Sequence, residues 1–388
     1  MRKLLLGLAA VSIVSAGALV STSAWAGYKM EIDENQWISL GMGLRFEAGA
    51  NEDPGDDWEK NFAVDSVRPY ISGQVHEYIK FETNLEFNTN DDHNDIELLD
   101  GIVKLEFDDA INFWGGRMLP PSDRANLSGP YYINSWAFPV VAQRYPAIFQ
   151  GRDNGVAAWG TVGDGMFKYQ IGLFEGNDDA DAPQLNIRLV LNLLDSEGTG
   201  YYNQSTYFGE KDILAIGGVV YYQEHGSGGR RDYTAWNIDV LFELKETAAG
   251  APTINGAYYN YDNNGAGGPT SGEPACQADG LGDITNGPCG GGGATNPPAD
   301  GESFFITGGW YLPGEIGIGA MKGKLEPHVR YQKFYNSNGP NQSRWDAGLN
   351  WYIMEQNAKF VVFYSHVKGD RSNAPLRNGV NVGFQVQF

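Results

Sequence analysis

Arg117, Arg124, Arg144 and Arg152 fall within one stretch of 36 residues, and the segment between the outer two, 119–150, contains a single carboxylate, Asp123. Guanidinium groups gathered at a narrow point attract anions, so this segment predicts a positive constriction. A second set of charges alternates with apolar residues elsewhere: Arg45, Arg68, Lys80, Lys104 and Arg188, with Glu47, Glu82, Glu86, Glu106, Asp239, Glu243 and Asp346. Side chains in that pattern line a wetted wall, as solvated groups or structural ion pairs, because a dry apolar core does not tolerate them. Chemistry of other kinds is not signalled. His76, His93, His225, His328 and His366 form no ligand cluster, no C-x-x-C-H is present to bind haem, and no G-x-S-x-G or phosphate loop is found. The sequence therefore predicts neither an enzyme nor a metal or cofactor.

Lys and Arg number 27 against 48 Asp and Glu, a formal net charge of −21, which argues against nucleic acid as a partner. Acidic clusters occupy predicted loops: Glu52, Asp53, Asp56, Asp57 and Glu59; Asp91, Asp92, Asp95 and Glu97; Glu175, Asp178, Asp179 and Asp181. They solvate a surface, and "DDHND" lacks the spacing of a calcium loop. Cys276 and Cys289, the two cysteines, sit in a Gly-rich segment within 262–302 and are expected to form a disulfide in an oxidising compartment.

The elements that position these groups are strands. Residues 1–26 read as a signal peptide: Arg2 and Lys3 precede an apolar run, and Ala24-Trp25-Ala26 supplies a cleavage site. The remaining 27–388 form one domain. In 37–47, Ile38, Leu40, Met42, Leu44 and Phe46 alternate with Trp37, Ser39, Gly41, Gly43, Arg45 and Glu47. This period of two recurs, predicting sixteen strands near 36–47, 63–75, 78–88, 97–107, 111–118, 153–160, 166–174, 184–194, 213–223, 233–244, 252–261, 303–312, 323–334, 344–353, 358–367 and 379–388. Short links at 76–77, 108–109, 162–165 and 355–357 take turns with long ones at 48–62, 119–152 and 262–302. Two links on the short side, 195–212 and 313–322, exceed the rule, and "NQSTYFGEKD" is expected to hold a short helix or an extra strand.

A secreted sandwich also alternates apolar and polar residues, with its apolar face turned inward. The even strand count, the loop rhythm and the aromatics Trp37, Phe87, Phe107, Phe167, Trp351 and Tyr352 at strand ends favour an all-β transmembrane antiparallel barrel of about 16 strands. Such a barrel is wide enough for an aqueous channel. Segment 119–150, carrying Tyr131, Tyr132, Trp136, Phe138, Tyr145 and Phe149, is too long and aromatic to idle at a surface, and is expected to fold inward as the third loop.

The segments "FWGGRMLPPSD", "FQGRDNGVAAWG" and "TYFGEKDILAIGGVVYY" resemble the phosphate-selective porin O and P family. The resemblance implies a sixteen-stranded trimeric porin of the outer membrane of a Gram-negative bacterium, with the third loop in its lumen and passage of small anions. It also implies that the terminal Phe388 is a signal to the barrel assembly machinery. Phosphate selectivity does not carry over, because 119–150 contain no Lys. The expected function is passive diffusion of small hydrophilic solutes and ions, with outer-membrane lipid and lipopolysaccharide around the barrel. Selectivity candidates are Arg117, Asp123, Arg124, Arg144 and Arg152, with Arg45, Arg68 and Arg188 on the wall. A different reading is a barrel sheath holding a periplasmic electron-transfer partner, and a third is a hydrolase or adhesin.

Overall fold

The computed structural model describes residues 27–52, 57–87, 96–139, 141–142, 151–177, 180–227, 231–265, 300–337, 341–369 and 377–388. The expected signal peptide, Arg144, both cysteines with their expected disulfide, and much of the acidic loop sequence lie outside these residues. In chain order the strands are β1 (Tyr28–Asp33), β2 (Gln36–Glu52), β3 (Trp58–His76), β4 (Ile79–Phe87), β5 (Ile96–Glu106), β6 (Asn112–Met118), β7 (Asp153–Val162), β8 (Phe167–Phe174) and β9 (Gln184–Asn192). There follow β10 (Ile213–Ser227), β11 (Arg231–Glu243), β12 (Ala251–Asp262), β13 (Gly301–Tyr311), β14 (Ile316–Ile318), β15 (Met321–Asn336), β16 (Gln342–Met354), β17 (Ala358–Gly369) and β18 (Arg377–Gln387). One five-residue helix, α1 (Arg124–Ser128), lies between β6 and β7.

Each strand from β2 to β13 pairs antiparallel with the next, β13 pairs with β15, and β15 to β18 continue the series. The seam closes where β18 pairs with β2, from Gly379 opposite Asn51 to Gln387 opposite Gly43. Phe388 extends it by donating to and accepting from Met42, both at 3.0 Å. The result is a closed barrel of sixteen strands, so no wall strand keeps a free edge. β1 and β14 stand outside the count as short hairpin partners of β2 and β15 at the end that carries both termini. Among the described residues no helix is long and apolar enough to cross a membrane.

Alternation sorts the side chains by face. Val103, Val156, Leu173, Leu189, Ile238, Ile306, Val362 and Val382 are exposed on the outside. Their neighbours along the strands, such as Arg188, Asp239, Arg330, Asp346 and Asn381, are buried inside. An outside that is apolar and an inside that is polar invert the order of a soluble sandwich and suit a bilayer. Aromatics gather at the outer ends of the short turns, where Trp351 stacks on Phe360 and Phe360 on Phe384, with Phe107 meeting Tyr78 and Phe113 elsewhere on the rim. Tyr352 departs from the expected girdle: it points inward and its hydroxyl donates to Glu326 at 3.0 Å.

Two links differ from expectation. Residues 48–62 are not a long loop, because β2 and β3 pair as far as Glu52 opposite Trp58. "AGANE" and "WEKNF" lack apolar alternation, but the closed neighbours template the hydrogen bonds. The link 193–212 holds neither helix nor strand, and instead turns up into the barrel with Tyr201, Asn203, Ser205, Thr206 and Phe208 buried.

A charged side chain on the outer face has no partner in hydrocarbon. Val382→Lys, on the seam strand, is expected to lower stability in lipid by about 2–4 kcal/mol. Denaturant unfolding of the vesicle-inserted protein measures this, and an unchanged midpoint would place that face in water.

Candidate channel lumen

Two segments occupy the inside. The first, from the loop end, is 119–142. Asp123 caps α1 by accepting from the backbone N–H groups of Ala125 and Asn126 at 2.8 and 3.3 Å. The Tyr259 hydroxyl also donates to it, at 2.8 Å. Burial and the neighbouring Asp239 push the Asp123 carboxyl up to about 6, against those donors. Beyond Gly129 the chain crosses the lumen and ties itself to wall after wall. The Tyr131 hydroxyl donates to Ser66 at 2.9 Å, and the Tyr131 carbonyl accepts from Gln385 at 3.0 Å. Lys359 donates to the Ile133 carbonyl at 3.0 Å and Asn134 donates to Glu326 at 2.7 Å. Arg330 reaches the Ala137 carbonyl at 2.6 Å, and the Tyr261 hydroxyl reaches that of Val141 at 2.8 Å. Each such bond adds about 1 kcal/mol and leaves a buried orphan if broken.

Trp136 is the main anchor. Its indole N–H donates to Glu47 at 2.7 Å and to Asp65 at 2.9 Å, and the Arg45 guanidinium lies 4.0 Å from its ring centroid while donating to its carbonyl at 2.6 Å. The ring fits because the wall beneath it is bare: a Cβ on Gly383 would meet Trp136 at 2.6 Å, and one on Gly43 would meet Tyr131 at 2.7 Å. The sequence placed both glycines on the inward face without showing that they are seats for aromatic rings.

The second segment, 193–212, enters from the opposite end. Tyr201 stacks on Trp114 with centroids 4.6 Å apart, and its hydroxyl donates to the Leu119 carbonyl at 2.9 Å. Gln170 and Lys168 of β8 hold the carbonyls of Tyr201 and Tyr202 at 2.7 and 3.3 Å. Glu243 of β11 accepts from the Thr206 hydroxyl at 2.7 Å and from the backbone N–H groups of Tyr207 and Gly209 at 3.0 and 2.9 Å. The two segments meet. Ser205 N–H donates to the Tyr132 carbonyl at 3.1 Å, and Arg124 forms a two-pronged pair with Glu197, one arm at 2.8 Å. Burial alone would raise the Glu197 carboxyl, but Arg124 overcomes it and holds the group below the usual carboxylate range.

The arginines expected at a constriction thus have separate fates. Arg124 is fully buried between Glu197 and Asp239. Arg152 pairs with Asp100 at 3.2 Å, Arg68 with Glu86 at 2.8 Å and Arg188 with Asp239. Arg45 lies on Trp136. Arg117 does not face the lumen: it shares the outward parity of Phe113 and Gly115 in β6 and donates to the Leu98 carbonyl at 3.0 Å. Further pairs cross the wall between Lys104 and Glu82, Lys80 and Glu106, and Arg330 and Asp346. These charges are therefore matched within the lumen rather than spread in open water, while Glu243 and Glu326 are held by uncharged donors and Lys168 and Lys359 by backbone carbonyls.

Inside β10, β11 and β12 the inward side chains are buried from Ile213 to Gln223, Tyr233 to Glu243 and Ala251 to Tyr261. Partial exposure persists on the other side, at Tyr70, Ser72, Lys80 and Glu106, and in the inward segments at Tyr132 and Tyr202.

A closed sixteen-stranded barrel, apolar outside and polar within, with a loop packed across its lumen, is the architecture of outer-membrane porins. Residues 280–388, from the Gly-rich stretch to the closing strand, match the sequence model of the phosphate-selective porin O and P family, so the likeness to that family is loose and lies in the C-terminal part. No curated protein matches the chain by sequence. Among solved structures it is similar to the anion-selective porin from Comamonas acidovorans, at 12% identity and a TM-score of 0.56 over 91% of this chain and 100% of that one. It is likewise similar to OprB of Pseudomonas putida, at 10% identity and a TM-score of 0.57 over 91% and 94% of the two chains. The trimer form of OmpT of Vibrio cholerae gives 14% identity and a TM-score of 0.53 over 92% and 100%. At such identities these likenesses concern the fold.

Gly383→Val removes the seat of Trp136 and leaves the strand pairing intact, a crowding cost of about 1–3 kcal/mol. Amide hydrogen exchange is expected to accelerate across 131–139 while β17 and β18 stay protected, and unchanged exchange there would show that the loop does not depend on its glycine seat.

Proposed function

We propose that this protein is a general porin through which small hydrophilic solutes and ions diffuse passively across the outer membrane, without chemistry or energy coupling. The observation that carries this reading is the inward loop within a closed barrel whose outside is apolar and whose inside is charged: it narrows a lumen and leaves the wall intact. Segment 119–150 is the constriction loop in this reading. The chain acts as a homotrimer, as the trimeric OmpT neighbour supports, surrounded by lipid and lipopolysaccharide, and its terminal Phe388 is the residue that the assembly machinery reads.

The ion pairs revise the anion preference that four arginines suggest. Arg124 and Arg152 are each matched by carboxylates, Arg68 and Arg188 likewise, and Arg117 faces outward. A balanced lumen gives weak selectivity, with the sign set at the mouths. The sheath reading needs room for a threaded partner, and segments 119–142 and 193–212 take that room.

Single-channel recording of the purified protein under a KCl gradient tests this reading. Stable conductance steps with a reversal potential near zero, not blocked by phosphate, are expected. A reversal potential at the chloride value would contradict the balanced lumen, and silence from the folded protein would contradict the porin itself.

A further inference from the structure

The link 193–212 lies on the turn side of the barrel, where connections of two to five residues suffice at Glu77-Tyr78 and at 107–111. Its extra length is folded into the lumen and held by buried wall groups. Glu243, a buried carboxylate, is spent on the backbone N–H groups of Tyr207 and Gly209 and on the Thr206 hydroxyl. Trp114 and Trp159 clamp the Tyr201 ring. An idle turn does not need a buried acid and two tryptophans.

The contact between this turn and the inward loop falls beside the exposed strip. Tyr132 of the loop and Tyr202 of the turn are only partly buried, Tyr202 lies 5.7 Å from Trp114 ring to ring, and Ser205 N–H to the Tyr132 carbonyl joins the two segments there. Arg124 fixes the same junction: it grips Glu197 with two arms and the Gln204 carbonyl at 2.9 Å, while the Tyr207 hydroxyl donates to Glu197 at 3.1 Å. Among the described residues the Arg124 bonds are the charge contacts that cross from one segment to the other.

We infer that the constriction is built from both faces of the membrane: the periplasmic turn 193–212 is its second half, Tyr202 lines the solute path opposite Tyr132, and the Arg124–Glu197 pair is the positioning latch that holds the two halves together. This rests on the porin reading above. A solute that passes must slip between two tyrosine rings and a wall of paired charges, which favours compact polar molecules over large or strongly charged ones. Because the latch joins a loop reached from outside to a turn reached from the periplasm, releasing it widens the path without disturbing the strands.

The test is single-channel recording of wild type, Glu197→Gln, the conservative Glu197→Asp and Tyr202→Cys, each first shown to be a folded barrel by heat-modifiable gel mobility. Glu197→Gln is expected to raise the unit conductance several-fold, whereas Glu197→Asp, which keeps the charge toward Arg124, is expected to stay near wild type. A cationic methanethiosulfonate added from the periplasmic side should form a mixed disulfide with Tyr202→Cys and cut its conductance, with wild type, which keeps Cys276 and Cys289, as the control. Wild-type conductance in Glu197→Gln together with no effect of the reagent on Tyr202→Cys would overturn the inference and leave the porin reading standing. A silent wild type would overturn both.

Discussion

Backbone N–H and C=O groups facing hydrocarbon have no water to bond, and each one left unpaired costs several kcal/mol. Everything else here follows from that constraint. It requires each wall strand to be paired on both sides, which turns the sheet into a closed ring and makes the last strand meet the first, Gln387 against Gly43. It also commits one face of every strand to lipid. Polar side chains are thereby gathered on the other face, in a tube of sixteen strands that the wall side chains alone do not fill.

What fills the tube obeys a second rule, that charge removed from water must be matched. Arg188 and Asp239, Arg330 and Asp346, Arg124 and Glu197 are all buried and all paired. Such pairs add little net stability compared with apolar packing, but removing one partner costs about 3–5 kcal/mol, so they fix which arrangement is tolerated. The inward loop is specified in this way. Trp136 sits where Glu47, Asp65 and Arg45 converge over a glycine. The acidic excess of the chain is thus a property of its whole composition, whereas the lumen is close to balanced.

Strand positions were legible because period two is a direct image of the lipid and lumen faces, and it located all sixteen wall strands. β1 and β14 were not, being short hairpin partners whose apolar residues, Tyr28, Met30, Ile316 and Ile318, carry no longer pattern. The inward course of 119–142 was legible from its length and its aromatics. By the same argument 193–212, with Tyr201, Tyr202, Tyr207 and Phe208, should have been read as an inward segment, and its position on the turn side hid that. Arginine partners could not be read, since Glu197 lies 73 residues from Arg124 and only the closed ring brings them together. Arg117 misled because Gly115 and Gly116 beside it give no apolar mark of which face is which.

Liposome swelling with neutral polar solutes of graded size probes the narrowed lumen without any contribution from charge. Fast swelling with the smallest solutes and a sharp fall in rate as size grows are expected, because two segments packed across the barrel leave a tight path. Swelling that does not depend on solute size would contradict the packed lumen, and no swelling with any solute would contradict the channel.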